Sequence, residues 1–181
     1  DEYCRNEGWF FEVKGRPSIS EAKVRAVIHW EKLTKGQAVS LTECANILKF
    51  VKVEKPKKLD MLNADLILQY QDFKSHFPDL PDGRWYDVFN LLSPKEISYI
   101  RAMLRRGEKI TKLPRIRLST IHAAKGGEAT NVVLLTDITA RVYKNYQENP
   151  DDENRVFYVG VTRTKENLYL IEPKSPRCYQ L

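Results

Sequence analysis

Apolar and polar positions follow one kind of pattern as far as Pro114 and another beyond it. Between Gly8 and Gly15 the run WFFEV is aromatic and β-branched, which predicts a short strand or ribbon. Ser20 then precedes EAKVRAVIHWEKL, where Ala22, Val24, Ala26, Val27, Ile28, Trp30 and Leu33 fall mostly on one helical face and Gly36 closes the helix. Ser40 with Glu43 has the spacing of a capping box before a helix LTECANILKFV, and Pro56 marks a break. A further helix is expected through LDMLNADLILQYQDFKSHF, stopping before Pro78, and the segment FPDLPDGRW is turn-rich. Ser93, Pro94 and Glu96 predict the start of a helix that Gly107 ends.

Past Pro114, RIRLSTI alternates and then turns apolar, as a strand entering a core does. NVVLLTDI is a short β-branched run between polar flanks and suits a buried parallel strand. A polar helix near Tyr143, an amphipathic helix in ENRVFYVGVTRTKE and a strand NLYLIE before Pro173 complete the chain. Strands alternating with helices predict an α/β sheet, whose ligands bind in loops beyond the carboxyl ends of the strands. The intervening stretch, about 38–112, reads as an all-helical block.

Composition narrows the class of partner. The chain has 181 residues, 42% hydrophobic and 30% charged, enough for a real core. From its pattern neither a leader nor a membrane span is expected, and the start at Asp1 is expected of a piece of a longer chain. Cys4, Cys44 and Cys178 are odd in number and far apart, so reduced thiols are expected rather than a disulfide framework or a zinc site. The net charge of +6 suits a polyanionic partner. Two runs concentrate it: Arg101 to Arg117 carries seven basic residues and one acid, and Lys49 to Lys58 carries five and one. Each is either a solvated face or a surface that tracks phosphates.

Two segments carry candidate chemistry. In Ser119 to Leu135, Gly126 and Gly127 allow close backbone approach to an anion, and Thr120, His122 and Lys125 can donate to phosphate oxygens. Glu128 would repel a phosphate and better accepts from a sugar hydroxyl. In Glu153 to Ile171, Arg163 ends a short helix whose other face is Val156, Phe157, Val159 and Val161, so it could project into a cleft and neutralise charge on a transferring phosphoryl group. Taken singly, each segment also reads as an ordinary strand connection or surface arginine. Trp9, Trp30 and Trp85 could stack on bases but are expected in the core or at a domain contact, His29 is expected to be structural and His76 exposed.

Together the two segments resemble motifs V and VI of superfamily 1 DNA helicases of the UvrD/Rep branch, which read T-x-H-x-x-K-G-x-E and Y-V-x-x-T-R. This chain has Thr120, His122, Lys125, Gly126 and Glu128, then Tyr158, Val159, Thr162 and Arg163. The RecD-like branch has Gln-Gly where this chain has Lys125-Gly126. The resemblance implies a C-terminal motor domain: a RecA-like parallel sheet (domain 2A) formed by residues 1–37 and 113–181, with 38–112 as a reduced, all-helical 2B insertion.

The same resemblance implies a 3′-to-5′ translocase that uses ATP with Mg²⁺. Arg163 would be the catalytic arginine finger, with Glu128, Gly126 and Gly127 beside the nucleotide and Thr120, His122 and Lys125 on the DNA-facing side. The partners implied are single-stranded DNA or a single-strand/duplex junction and an N-terminal RecA-like domain of the same parent chain, in a bacterial or phage-infected cytoplasm. No G-x-x-x-x-G-K-S/T phosphate loop and no acidic Mg²⁺-binding motif is present in this sequence, so the chain alone is expected to lack ATPase activity. Three positions depart from the pattern: Gly127 where the family commonly has Leu, Ala129 where Phe or Trp is frequent, and Thr164 for Ala. The first two loosen the packing around Glu128. The competing reading is a non-catalytic DNA-binding or interaction module derived from a helicase, or part of a helicase–nuclease complex.

Overall fold

Capping chemistry sets where the longer helices of the first half begin. Ser40 and Ser93 each accept the N–H of the glutamate three residues on, and Glu43 and Glu96 each accept the serine's own N–H in return. Both capping boxes expected from sequence are therefore formed. Gly107 ends the second helix with φ 70°, a left-handed conformation that glycine adopts without strain. The structure is a computed structural model and describes residues 1–53, 66–108 and 113–180.

The chain folds as two compact units, Asp1–Arg117 and Leu118–Leu181. The first contains α1 (Glu2–Asn6), β1 (Phe11–Val13), β2 (Arg16–Pro17), α2 (Glu21–Thr34), β3 (Val39–Ser40), α3 (Leu41–Leu48), β4 (Ile67–Leu68), α4 (Tyr70–His76), α5 (Trp85–Val88) and α6 (Pro94–Arg106). β5 (Ile116–Leu118) runs across the division between the units. β1 lies between β2, with which it pairs antiparallel, and β5. Aromatic side chains dominate this unit's core. The Trp30 ring meets Tyr70 and Phe89 edge-on and its Nε1–H donates to the Gly83 carbonyl at 3.2 Å, while Trp85 packs edge-on against Phe89. Burying side chains of this size contributes roughly 1.5–3 kcal/mol each. Tyr99 is also buried, and its hydroxyl donates to the Trp9 carbonyl at 2.6 Å and pairs with Ser18.

Gly8 is required by the approach of this turn to α6. Its φ is +69°, and a Cβ there would lie 2.4 Å from the Ala102 carbonyl carbon and 2.7 Å from the Met103 nitrogen. Of the three tryptophans, Trp30 and Trp85 are core residues; Trp9 is half-buried under the Arg106 guanidinium, 4.9 Å from its ring centroid. Burial pushes the Cys44 thiol up to about 12, so it stays protonated. His76 is exposed, whereas His29 bridges α2 to α3 through a 3.2 Å contact with Glu43.

The second unit is a strand–helix–helix–strand arrangement: β6 (Ala129–Leu135), α7 (Ala140–Glu148), α8 (Pro150–Val161) and β7 (Thr164–Ile171). β6 and β7 pair in parallel, which the intervening helices make possible. The C-terminal tail then folds back. The Asp137 carboxylate accepts from the N–H groups of Lys174 and Ser175, and its pKa is held low chiefly by the Lys174 N–H. The Thr136 carbonyl accepts from the Tyr179 N–H at 2.9 Å. The Tyr179 ring stacks on Phe157 of α8 with centroids 3.9 Å apart and planes within 4°.

Three expectations change. The α/β class holds, but among the described residues parallel pairing is confined to β6 and β7, so the extended parallel sheet is not what the described strands form. Residues 38–112 are helical in the main but not wholly, because β3 and β4 form a short antiparallel pair. Ile67 and Leu68 belong to that pair rather than to a helix, since cross-strand bonding to Val39 and Ser40 wins over local helical spacing; the helix there starts only at Tyr70. Of the two basic runs, Lys55, Lys57, Lys58, Lys109 and Lys112 lie outside the described residues, as does the expected helical stretch before Leu66. No described helix is long and apolar enough to cross a membrane.

Candidate functional site

Every candidate residue of the two motifs lies in the second unit, and the chain's turns explain how several of them come together. After β5, a single 3-10 turn covers His122–Ala124. Thr120 initiates it: its hydroxyl accepts the Ala123 N–H at 3.2 Å and its carbonyl the Ala124 N–H at 3.1 Å. His122 and Lys125 are exposed on this turn. Gly126 then takes φ +82° with open space where a Cβ would be, so its glycine identity answers to backbone conformation rather than crowding.

Arg163 sits two residues beyond the end of α8 and folds back onto the glycine loop. Its Nη1–H donates to the Gly127 carbonyl at 3.3 Å, its Nε–H to the Val159 carbonyl at 2.9 Å and its Nη2–H to the Thr162 hydroxyl at 2.9 Å. The Arg163 carbonyl in turn accepts the Ala129 N–H at 2.9 Å. A guanidinium has five N–H donors. Three are used here, so two remain for a ligand. Among the described residues Arg163 forms no ion pair with a carboxylate, and it is half-buried. An arginine held by backbone carbonyls keeps its full charge and a fixed direction.

Glu128 follows directly but behaves differently. It is 59% exposed and pairs with Lys165 at 3.1 Å. The lysine gives it a partner that the motif spacing did not suggest. An exposed pair of this kind contributes little to stability and leaves carboxylate lone pairs for a hydroxyl donor. The structure thus brings Arg163 and the Gly126–Gly127 loop together and sets Glu128 at that loop's end. Thr120, His122 and Lys125 occupy the preceding turn, with no side-chain hydrogen bond to Arg163 among the described residues.

Sequence reasoning missed three features. Gly160 is buried in α8, where a Cβ would meet Leu134 at 3.2 Å and Ile121 at 3.4 Å; a lone glycine inside a helical pattern was the available signal. This glycine lets α8 lie close on β6 and so sets the height of Arg163. β7 carries one extra residue between Thr164 and Asn167 relative to Ala129 and Asn131 of β6. Such bulges re-aim side chains beside functional loops. The third is the clasp of Tyr179 on Phe157, which pins the helix that leads to Arg163.

The residues present fit the phosphate end and sugar edge of a nucleotide: two spare N–H donors on a guanidinium, an open glycine turn and an exposed carboxylate. Among the described residues no cluster of His, Cys, Asp and Glu could hold a metal ion.

The chain also has relatives among known proteins. The chain is similar to ATP-dependent DNA helicase Rep of Escherichia coli, at 32% identity over 83 residues. It is similarly related to the Rep helicases of Salmonella typhimurium, at 31% over 83 residues, and Buchnera aphidicola, at 29% over 85 residues. These matches take in 44% of this chain but only 12–13% of each relative, so the chain corresponds to a small part of their length. No solved structure matches it. The model of the UvrD-like helicase C-terminal domain matches residues 24–175, most of the chain, and the chain belongs to that family.

Proposed function

We propose that this chain is part of the C-terminal motor half of an ATP-dependent DNA helicase that moves 3′ to 5′ along single-stranded DNA. The observation that carries the reading is the seat of Arg163. It is fixed by the Gly127 and Val159 carbonyls, carries no carboxylate partner among the described residues, and keeps two donors spare.

In this reading Arg163 presents its guanidinium to the terminal phosphate and neutralises charge that develops there during transfer. The Gly126–Gly127 loop lets the backbone approach the nucleotide, and Glu128 accepts from a ribose hydroxyl. Thr120, His122 and Lys125 face the DNA backbone. Bound ATP with Mg²⁺ supplies the phosphoanhydride whose hydrolysis drives movement. Because the Arg163 carbonyl and the Gly127 carbonyl tie the end of α8 to the loop, a shift at one is transmitted to the turn bearing His122 and Lys125. The chain forms one wall of the nucleotide site, and the other wall belongs to an N-terminal RecA-like domain of the parent.

The test is Arg163→Ala in the full parent. DNA-stimulated ATP turnover should fall about a thousandfold or more, the range for lost arginine fingers, while DNA binding persists. Unchanged turnover would remove the finger assignment. A parent with no turnover at all would make the chain a binding or interaction module instead. The 181-residue chain by itself is expected to release no phosphate from ATP in the presence of single-stranded DNA.

A further inference from the structure

Charge is divided unevenly between the two units. Residues up to Arg117 include 22 Lys and Arg against 16 Asp and Glu, while those from Leu118 onward include 8 of each. The whole net charge of +6 therefore belongs to the first unit, which holds none of the motif residues.

Within that unit one cluster stands out. Arg84 donates from Nη1 to the Tyr86 hydroxyl at 2.6 Å, and its guanidinium carbon lies 5.9 Å from the Tyr86 ring centroid. Arg101 of α6 lies over the same ring at 4.8 Å. Arg105 follows one helical turn later on the exposed face of α6. All three arginines are exposed, and none forms an ion pair among the described residues. The carboxylate on α6, Glu96, is committed elsewhere, to Lys23 and to the Ser93 cap. Asp82 is held by Tyr70 and Lys74. Asp87, next to Tyr86 in the chain, acts on Arg84 through its charge but forms no ion pair with it.

A solvated face has no reason to converge. Like charges four residues apart on a helix repel, and two guanidiniums on one tyrosine repel further. Here the ring and the phenol oxygen hold the forks in set directions, which lowers the side-chain entropy lost when they bind. Phosphate oxygens match such forks and supply negative charge that one nearby carboxylate, Asp87, does not balance. We propose that Arg84 and Arg101, oriented by Tyr86, together with Arg105 on the next turn of α6, form a contact for the DNA sugar–phosphate backbone on the first unit, additional to Thr120, His122 and Lys125. This rests on the DNA-motor reading above.

The experiment measures binding of the whole 181-residue chain to a labelled oligothymidylate and to a duplex hairpin by fluorescence anisotropy across a salt series. Replacing all three arginines by alanine should weaken binding about tenfold or more. It should also lower the slope of log K against log salt by roughly 2–3, as loss of three phosphate contacts requires. Arg105→Glu alone, which leaves the Tyr86 cluster intact, should weaken binding in the same direction with an unchanged circular dichroism spectrum. Whichever of the two probes loses more identifies the strand form contacted. Unchanged affinity and slope in the triple variant overturn the contact, as does a chain that binds neither probe. So does a triple-variant loss that comes with a changed spectrum while Arg105→Glu binds normally. Turnover in the parent that still depends on Arg163 would then leave the motor reading standing without this contact.

Discussion

The two units of this chain spend their side chains on different things. Of the buried hydrophobic side chains among the described residues, 27 lie in Asp1–Arg117 and two, Leu134 and Phe157, in Leu118–Leu181. The second unit leaves Val133 and Leu135 of β6 and Leu168 through Ile171 of β7 exposed, although parallel strands are ordinarily covered on both faces. The first unit carries its stability in an aromatic core and its net charge on its surface. The second carries the candidate chemistry on a small scaffold held by backbone hydrogen bonds and a tail clasp. A site thus need not lie where the core is largest; it needs only that its few donors be fixed.

The largest effect on that contrast is expected at the backbone contact of Gly8. Gly8→Ala places a methyl group 2.4 Å from the α6 backbone at φ +69°. It should destabilise the first unit by about 3 kcal/mol, through overpacking and the disfavoured φ together. Hydrogen exchange should show α6 losing protection while β6 keeps its own. Equal losses in both would mean that the units do not unfold separately.

Tyr179→Ala tests the converse. It removes the stack on Phe157 and the hydroxyl bond to Asn154. A loss of about 1–2 kcal/mol is expected in the second unit. Exchange should rise along α8 and leave α2 unaffected. In the parent, the same change should lower ATP turnover by loosening the helix that leads to Arg163. Normal turnover with a loosened α8 would show that the clasp serves stability alone.

The smallest effect concerns pH and the first unit. Burial lowers the His29 pKa; Glu43 pulls it upward, while Lys32 and Arg25 add to the lowering, and Nδ1 is buried without a partner among the described residues. A depressed histidine pKa favours the neutral ring in the folded state. Its stabilising share is complete above the unfolded value of about 6.5 and is lost as pH falls below it. Urea midpoints at about pH 7.5 and about pH 5.5 should therefore differ less in His29→Gln than in the wild type. Glu43 shifts in the same sense in a more acidic window. Burial works to raise its pKa, but the Ser40 N–H, His29 and Lys32 together hold it low.

Much of this was legible in the chain because it is local. Capping boxes at Ser40 and Ser93, the stop at Gly107 and the amphipathic spacing of α2 depend on residues within a few positions of one another, and the structure forms all four. The two motifs were legible as well, being residue types at fixed spacing around one glycine turn and one helix end. The β3–β4 pair was not, because Val39 finds Leu68 across 29 residues and nothing in either segment names the other. Nor was the partnership of Glu128 with Lys165, which depends on how β6 and β7 align.

What could be read from the chain alone was the start of α3 and α6, the stop at Gly107, the residue types around the glycine turn, and the basic charge. Tertiary structure alone decided that Arg163 returns to the Gly127 carbonyl, that Gly160 must lack a side chain for α8 to meet Leu134, and that two arginines share the ring of Tyr86. The difference is one of range. Propensity and capping act through bonds a few residues apart, whereas guanidinium geometry, close approach and charge clustering are set by which distant segments the packing brings within a few ångströms of each other.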